Sequence, residues 1–362
     1  MNGSEPGGGW RIRDAVASVM EIANWGYDGP FVHFRGRLRM ASDQAFRIVR
    51  EEACSQGLLP FLESDPVGAV FRFTPEKKQA SRRFPLVNLL LLLATVITTL
   101  SAGAMIKNIP PSALWRHPLL LLRGLPFSFT LLTILGLHEF GHYYLSRRHG
   151  IRASLPFFIP APTLIGTMGA VIVSRSPFPD RKSLLDVGVA GPIASFILSL
   201  IAFAAGLRTA AITEMPAGVE VLKFGDSLLT WILTRVYFPS IPPGHDLVVG
   251  PVAFAGWVGL LVTALNLFPM SQLDGGHIIF ALLRRGHRLI TGIFLGLLAV
   301  LGVVLWEGWL VWVALILLMG TRHLPPLDNL TPLDSKRKIL GWLALFILLL
   351  CFVPFPARLL VP

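Results

Sequence analysis

The chain has 362 residues, of which 53% are hydrophobic and only 15% charged, and its formal net charge is +11. A soluble protein of this length needs more charge to cover its surface, so the composition predicts long apolar membrane segments. The basic residues are not interleaved with stacking aromatics, so we expect no nucleic-acid partner. Two cysteines exclude a disulfide framework and a cysteine-based zinc site.

The first eighty residues have the pattern of a small soluble module. Residues 1–9 are rich in glycine and predict a disordered tail, whereas residues 10–80 predict an α+β domain. Its elements follow a β-α-β-β order, which is typical of half a ferredoxin-like fold. They are, in chain order, a strand at 31–34, a helix at 42–54 and strands at 58–62 and 68–73.

The remainder, 84–362, predicts a polytopic α-helical membrane domain with about six to seven transmembrane helices. Each clear span is an apolar run long enough, or nearly long enough, to cross a bilayer. These runs are 85–106, 126–145, 184–206, 251–268, 289–306 and 339–353, and the shorter run 309–320 is a further candidate.

Basic clusters beside the apolar runs predict the orientation of the chain. They all fall on one side of the membrane if 309–320 counts as a crossing. This arrangement places the N-terminal module on the cytoplasmic side and the C-terminus outside. The clusters are Lys77, Lys78, Arg82 and Arg83; Arg147, Arg148 and Arg152; Arg284, Arg285 and Arg288; and Arg322, Lys336, Arg337 and Lys338.

The second apolar run contains the sequence His138-Glu139-Phe140-Gly141-His142. Histidines four residues apart project from one helix face and can bind one zinc ion, with the adjacent Glu139 as general base. Polar residues inside an apolar span cost free energy and usually have a function or a partner. A buried histidine–glutamate cluster that only holds helices together is the alternative.

A catalytic zinc needs a third protein ligand, and Asp274 is the best candidate. It lies about as far from a basic cluster as His138 does, so both are expected at similar membrane depth. Pro269 and Gly275-Gly276 break the helix there, and a broken helix at membrane depth must be buried or line a cavity. For Asp274 alone, the alternative is a helix cap.

The motif at 138–142, followed by Asn266-x-x-Pro269 and Leu273-Asp274-Gly275, resembles the site-2 protease family of intramembrane zinc metalloproteases. The resemblance covers nearly the whole chain from Pro85. The N-terminal module, together with Gly225-Asp226-Ser227 and Phe254-Ala255-Gly256-Trp257, is similar to the branch of plant plastid and cyanobacterial members. No insertion like a PDZ domain separates the third and fourth runs. The similarity to plastid and cyanobacterial members indicates that the host membrane is a prokaryotic cell membrane or an organelle equivalent.

The resemblance implies a zinc-dependent endopeptidase that cleaves within or beside a transmembrane helix of single-pass membrane protein substrates. It implies that His138, His142 and Asp274 bind one Zn²⁺ per chain. It also implies that Glu139 is the base and that Asn266 holds the substrate backbone or oxyanion. The glycine-rich stretch 188–192 matches the family's third core helix, where small residues let helices approach closely.

Residues 156–176 combine prolines, glycines and a β-branched run, and they predict a β-hairpin that dips towards the active site. Its edge strand could pair with an unwound substrate, because a helix cannot present a peptide bond to zinc. Gly166, Gly169 and Val171 are the candidate substrate-binding residues. A plain cytoplasmic loop is the alternative.

Two other functions remain open at this point. The first is a catalytically silent membrane scaffold, a pseudoprotease that binds misassembled helices like a chaperone; the intact Glu139 and the three candidate ligands argue against it. The second is a transporter, which would need an inverted repeat and paired broken helices, whereas the sequence shows one broken helix and no clear repeat.

Overall fold

The computed structural model describes residues 9–29, 31–76, 85–215, 221–270, 272–320 and 323–360. These residues form two compact units. The first comprises the described parts of Met1–Arg82, Arg175–Leu184 and Leu324–Ser335, and the second those of Arg83–Ser174, Leu185–His323 and Lys336–Pro362. Most of the predicted tail, and the basic residues Lys77, Lys78, Arg82, Arg83 and Arg322, lie outside the described residues.

The first unit contains a four-stranded antiparallel sheet in the order β1-β2-β4-β3. Strands β2 and β3 each pair antiparallel with β4. They are therefore parallel to each other, and β4 lies between them. This is the half ferredoxin-like arrangement that the sequence predicts. The elements are α1 Gly9–Val19, β1 Met20–Asp28, β2 Phe31–Leu38, α2 Ser42–Ser55, β3 Leu58–Asp65 and β4 Gly68–Pro75. Helix α1 and strand β1 are additions that the sequence analysis missed.

A buried apolar core joins the helices of this unit to its sheet. Val16 and Phe46 come from α1 and α2, and Phe34 and Phe71 come from the sheet. Leu327 belongs to the same core, although the sequence analysis assigned it to the membrane domain. The later part of the chain therefore contributes to the core of the N-terminal unit.

Residues 327–329 also cover the outer edge of β3. The backbone N–H of Leu62 donates to the carbonyl of Leu327 at 2.7 Å, and the N–H of Asn329 donates to the carbonyl of Leu62 at 2.9 Å. The side chain of Asp328 holds this segment in shape by accepting from the backbone N–H of Leu330 at 2.9 Å and of Thr331 at 3.0 Å. A strand edge that would otherwise expose unpaired amides is thus protected.

The second unit is mainly helical. Its helices, two of which begin within the first unit, are α3 Pro85–Ile106, α4 Pro111–Arg116, a 3-10 turn Pro118–Gly124, α5 Leu125–Arg148, α6 Arg181–Leu207, α7 Leu228–Tyr237, α8 Pro251–Asn266, α9 Asp274–Leu283, a 3-10 turn Arg284–Gly286, α10 His287–Val304, α11 Gly308–Met319 and α12 Ser335–Cys351. Short antiparallel pairs join β5 Phe157–Pro160 to β6 Thr167–Val171, β7 Ala211–Glu214 to β9 His245–Val248, and β8 Val221–Phe224 to β10 Ala357–Leu360.

Four helical segments in the described part of the chain are long and apolar enough to cross a membrane: Pro85–Ile106, Pro118–Arg148, Arg181–Leu207 and His287–Val304. Together with the N-terminal α+β unit they fit the predicted class of membrane protein. The predicted total of about six to seven spans is not confirmed, because α8 has only 16 residues and α11 only 12.

The β5–β6 hairpin is present where the sequence predicts one. The side-chain amide of Asn88 on α3 donates to the carbonyls of Leu155 at 3.1 Å and Pro156 at 2.7 Å, just before β5. At the other end, Gly166 has a φ of +80°, and a Cβ added there would lie 2.5 Å from the carbonyl oxygen of Thr98. The hairpin is therefore packed directly against α3.

Replacing Gly166 by alanine should destabilise the protein more than replacing Gly169. Both glycines have positive φ, +80° and +100°, but Gly169 has open space where a Cβ would go. Both variants incur backbone strain of about 1–2 kcal/mol, and Gly166→Ala adds roughly 1–3 kcal/mol of overpacking against α3. Thermal unfolding of the two variants in detergent measures the difference, and equal melting temperatures would contradict this packing.

Candidate metal centre

Helix α5 carries three ionisable side chains within the run 134–142, which is otherwise apolar. His138 and His142 lie one helical turn apart and therefore share a face, and Glu139 follows directly after His138. All three are buried, with at most 6% of each residue exposed. Burial of such groups among apolar helices is stable only if they satisfy one another or hold a ligand.

Asp274 reaches the same place from a break between two helices. Helix α8 ends at Asn266 and α9 begins at Asp274. A Cβ added to Gly275 would lie 2.0 Å from the carbonyl oxygen of Leu267, so only glycine lets the first turn of α9 pack on the end of α8. This fold-back directs the carboxylate of Asp274 towards α5.

The three predicted metal ligands meet in a small triangle. Nε2 of His138 lies 3.0 Å from Nε2 of His142, and the Oδ2 atom of Asp274 lies 3.3 Å from the first and 3.2 Å from the second. Two ligands of a tetrahedral zinc, each 2.0–2.1 Å from the metal, are about 3.3–3.4 Å apart. The triangle is close to the size that one zinc ion requires.

The hydrogen bonds behind the imidazoles also fit a metal ion. Nδ1 of His142 donates to the carbonyl of Val187 at 2.8 Å, so its Nε2 atom has a free lone pair. Nδ1 of His138 lies 3.0 Å from the hydroxyl of Ser195. Electron-rich atoms this close repel one another unless a proton or a metal ion lies between them. Two nitrogens and one carboxylate oxygen form a donor set that suits Zn²⁺.

The two predicted catalytic side chains border this triangle. The carboxylate of Glu139 faces the backbone amide of Ile172, directly after β6. The side-chain amide nitrogen of Asn266 lies 3.2 Å from Nε2 of His138. The structure thus brings both residues to the ligand cluster, and their roles in catalysis stay predictions.

The predicted substrate-binding residues lie on the hairpin but differ in accessibility. Gly166 is buried against α3, Gly169 is partly buried, and the side chain of Val171 is exposed. Strand β6 pairs only with β5 among the described strands, so its other edge has no strand partner in that part of the chain. A role for these residues in holding substrate remains a prediction.

Sequence reasoning missed the groups that orient the ligands. Ser195 on α6 and the carbonyl of Val187 support the two imidazoles. Gly191 lies between Val187 and Ser195 in the sequence of α6, and a Cβ added to it would be 2.1 Å from Nε2 of His142. The predicted close approach of the glycine-rich stretch is therefore observed. Ser195 lies one helical turn after Gly191, and this spacing was the sequence signal that could have placed the serine on the same helix face.

The model of Peptidase family M50 matches residues 126–305, a range that contains all five predicted catalytic and metal-binding residues. "Probable zinc metalloprotease EGY2, chloroplastic" from Arabidopsis thaliana is 32% identical over 240 residues, which cover 66% of this chain and 43% of that protein. "Probable zinc metalloprotease EGY1, chloroplastic" from Arabidopsis thaliana is 30% identical over 353 residues, which cover 88% of this chain and 62% of that protein.

The protein of the same name from Oryza sativa subsp. japonica is 32% identical over 242 residues, which cover 64% of this chain and 41% of that protein. The chain therefore spans less than two thirds of the length of these curated relatives. The range matched by the family model includes the parts of α5 and α9 that carry the ligand triangle.

Replacing Asp274 by asparagine should abolish stoichiometric zinc binding, because it removes the only carboxylate of the predicted ligand set. Asp226→Asn is the matched control, since Asp226 accepts a hydrogen bond from Thr230 outside the triangle. Metal content of the purified proteins, measured by atomic emission, should show about one zinc per chain in the wild type and in the control. Undiminished zinc in Asp274→Asn would remove this residue from the ligand set.

Proposed function

Because the chain carries a metalloprotease domain of peptidase family M50, the family of the site-2 proteases, we propose that it is a zinc-dependent intramembrane endopeptidase. It hydrolyses a peptide bond within or beside a transmembrane helix of its substrate. The observation that carries this proposal is the ligand triangle of His138, His142 and Asp274, with Glu139 beside it, on a helix apolar enough to cross a membrane.

His138, His142 and Asp274 would hold a zinc ion, which would supply Lewis-acid polarisation of the scissile carbonyl and of the attacking water. Glu139 takes a proton from that water and passes it to the nitrogen of the leaving amine. The side-chain amide of Asn266 donates a hydrogen bond to the substrate carbonyl oxygen, where negative charge develops. Each of these residues contributes to the transition state from a position fixed by a helix.

The β5–β6 hairpin supports a way of presenting the substrate. A peptide bond in a helix is shielded by its own hydrogen bonds, so the substrate must first unwind. The edge of β6 can receive the unwound segment as an added strand. Met168 and Val171 expose their side chains there, and the amide of Ile172 contacts Glu139. A strand paired with this edge would lie next to the catalytic base.

Substrates and location follow from the same reasoning. The substrates are single-pass membrane proteins, because such a protein presents one helix that can unwind at the site. Arg147 and Arg148 lie in the last turn of α5, and Arg152 follows it. They favour a cytoplasmic position for that end of the helix and for the N-terminal unit. The host membrane is a prokaryotic cell membrane or an organelle membrane, and the relatives named as chloroplastic support this assignment.

Glu139→Gln should retain zinc but lose proteolysis. The substitution keeps the size of the side chain and removes the base, so the cleavage rate should fall roughly 10²–10⁴-fold. The assay uses the full chain in detergent with a fluorescently labelled model transmembrane substrate, alongside zinc analysis of the same samples. Glu214→Gln, an exposed residue of β7, is the matched control and should cleave normally. Full activity of Glu139→Gln would refute this mechanism.

Asn266→Ala should lower kcat roughly 10²–10³-fold, as loss of an oxyanion donor does in other hydrolases, while zinc content stays unchanged. KM should change little if the amide acts mainly in the transition state. Steady-state kinetics separate the two parameters, with the exposed Asn24→Ala as a control for the same change elsewhere. Loss of zinc together with kcat would instead mean that Asn266 supports His138.

A further inference from the structure

A chain of buried hydroxyl groups connects helix α8 to the ligand His138. Nδ1 of His138 lies 3.0 Å from Oγ of Ser195 on α6, and this oxygen lies 2.9 Å from Oγ1 of Thr263 on α8. The Thr263 hydroxyl donates to the carbonyl of Gly259 at 2.7 Å. Neither hydroxyl-bearing residue is more than 1% exposed. The proposed reaction assigns no role to them.

The hydroxyl groups have enough acceptors to leave a lone pair for His138. When Thr263 donates its one hydroxyl proton to the carbonyl of Gly259, it can only accept towards Ser195. Ser195 then has three acceptors for its own proton, namely Thr263 and the carbonyls of Gly191 at 3.1 Å and Pro192 at 3.2 Å. With its proton on any of these three, Ser195 accepts from Nδ1 of His138. The proton of a neutral His138 then resides on Nδ1, and Nε2 has a free lone pair.

Helix α8 borders both nitrogens of this imidazole. Thr263 reaches Nδ1 through Ser195, and Asn266, three residues later, lies 3.2 Å from Nε2. Residues three apart on a helix share a face, so one surface of α8 lies beside the ring, and only its Thr263 end acts on His138 in this assignment. His142 differs, because its Nδ1 is held by a backbone carbonyl that no side-chain substitution removes.

We propose that Ser195 and Thr263 are positioning residues that fix the ring orientation and tautomer of His138, so that Nε2 is presented to the metal. The inference rests on the proposed function, since it assumes that this triangle binds zinc. Outer hydrogen-bond partners of histidine ligands typically change metal affinity by about 10- to 100-fold. Neither residue touches the substrate or the metal in this assignment.

A neighbouring serine separates positioning from general packing. Ser199 lies one turn beyond Ser195 on α6, is fully buried, and its hydroxyl has no hydrogen-bond partner among the described residues. A Cβ on Gly259 would lie 2.2 Å from its Oγ atom, so Ser199 also packs against α8. Ser199→Ala therefore removes the same atom from the same helix interface without touching His138.

The experiment measures the zinc dissociation constant of the full chain in detergent by competition with a chromogenic chelator. Ser195→Ala should bind zinc roughly 10- to 100-fold more weakly than the wild type, whereas Ser199→Ala should bind it equally well. Thr263→Val should show a smaller loss, because Ser195 keeps the carbonyls of Gly191 and Pro192 as partners. Thr263→Ser keeps the hydroxyl that Thr263→Val removes and should bind zinc as tightly as the wild type.

Two further measurements exclude a simple loss of structure. The visible absorption spectrum of the Co²⁺-loaded protein reports the ligand geometry, and it should change in Ser195→Ala but not in Ser199→Ala. The double variant Ser195→Ala/Thr263→Val should bind zinc no more weakly than Ser195→Ala alone, because Thr263 acts through Ser195. Additive losses in the double variant would contradict a single chain of hydrogen bonds.

The outcomes separate this inference from the proposed function. If the wild type binds no zinc, both are wrong. If the wild type binds zinc and Ser195→Ala has the same dissociation constant and Co²⁺ spectrum as Ser199→Ala, the positioning role alone is overturned. If Ser195→Ala and Ser199→Ala lose zinc to the same extent, the interface matters for packing and the positioning role is again refuted.

Discussion

The mutual contact of two imidazoles and a carboxylate, at 3.0 to 3.3 Å inside apolar helices, is the constraint on which the second unit depends. Three helical elements must approach closely enough to bring these atoms together, and ordinary side chains would keep them apart. Gly191 meets this requirement against His142, and Gly275 meets it between α8 and α9. The close packing of the polar cluster therefore requires glycine at these two positions. A larger residue at either position would displace a helix that carries a ligand.

The same constraint explains how a broken helix can exist in an apolar environment. Between α8 and α9 several backbone groups lose their helical partners, which is costly unless other groups replace them. The amide of Met270 donates to the carbonyl of Phe268 at 2.7 Å, and the amide of Leu273 donates to that of Met270 at 3.0 Å. The hydroxyl of Thr291 on α10 donates to the carbonyl of Pro269 at 2.8 Å. The break is thus a hydrogen-bonded turn that holds Asp274 in place.

Sequence alone predicted the parts of the molecule whose signal is local. The spacing of His138 and His142, the helix break before Asp274, and the apolar length of α3 all lie within short windows, and the structure places each as expected. Strand β1 was missed because its residues are largely exposed and do not alternate clearly. Leu327 was missed for a different reason: its partners lie far away in the chain, and no periodicity marks such contacts. Ser195 was marked only by its one-turn spacing from Gly191, and its partner His138 is also distant in the chain.

The covering of β3 by residues 327–329 has a consequence for biosynthesis. At roughly 5–20 residues per second, the ribosome completes Leu327 about 15 to 50 seconds after Leu62. During that interval the outer edge of β3 lacks the partners that the finished protein gives it. The N-terminal unit is therefore complete only after residues 327–329 have been synthesised. Until then, β3 is an open edge to which a chaperone or another nascent chain can bind.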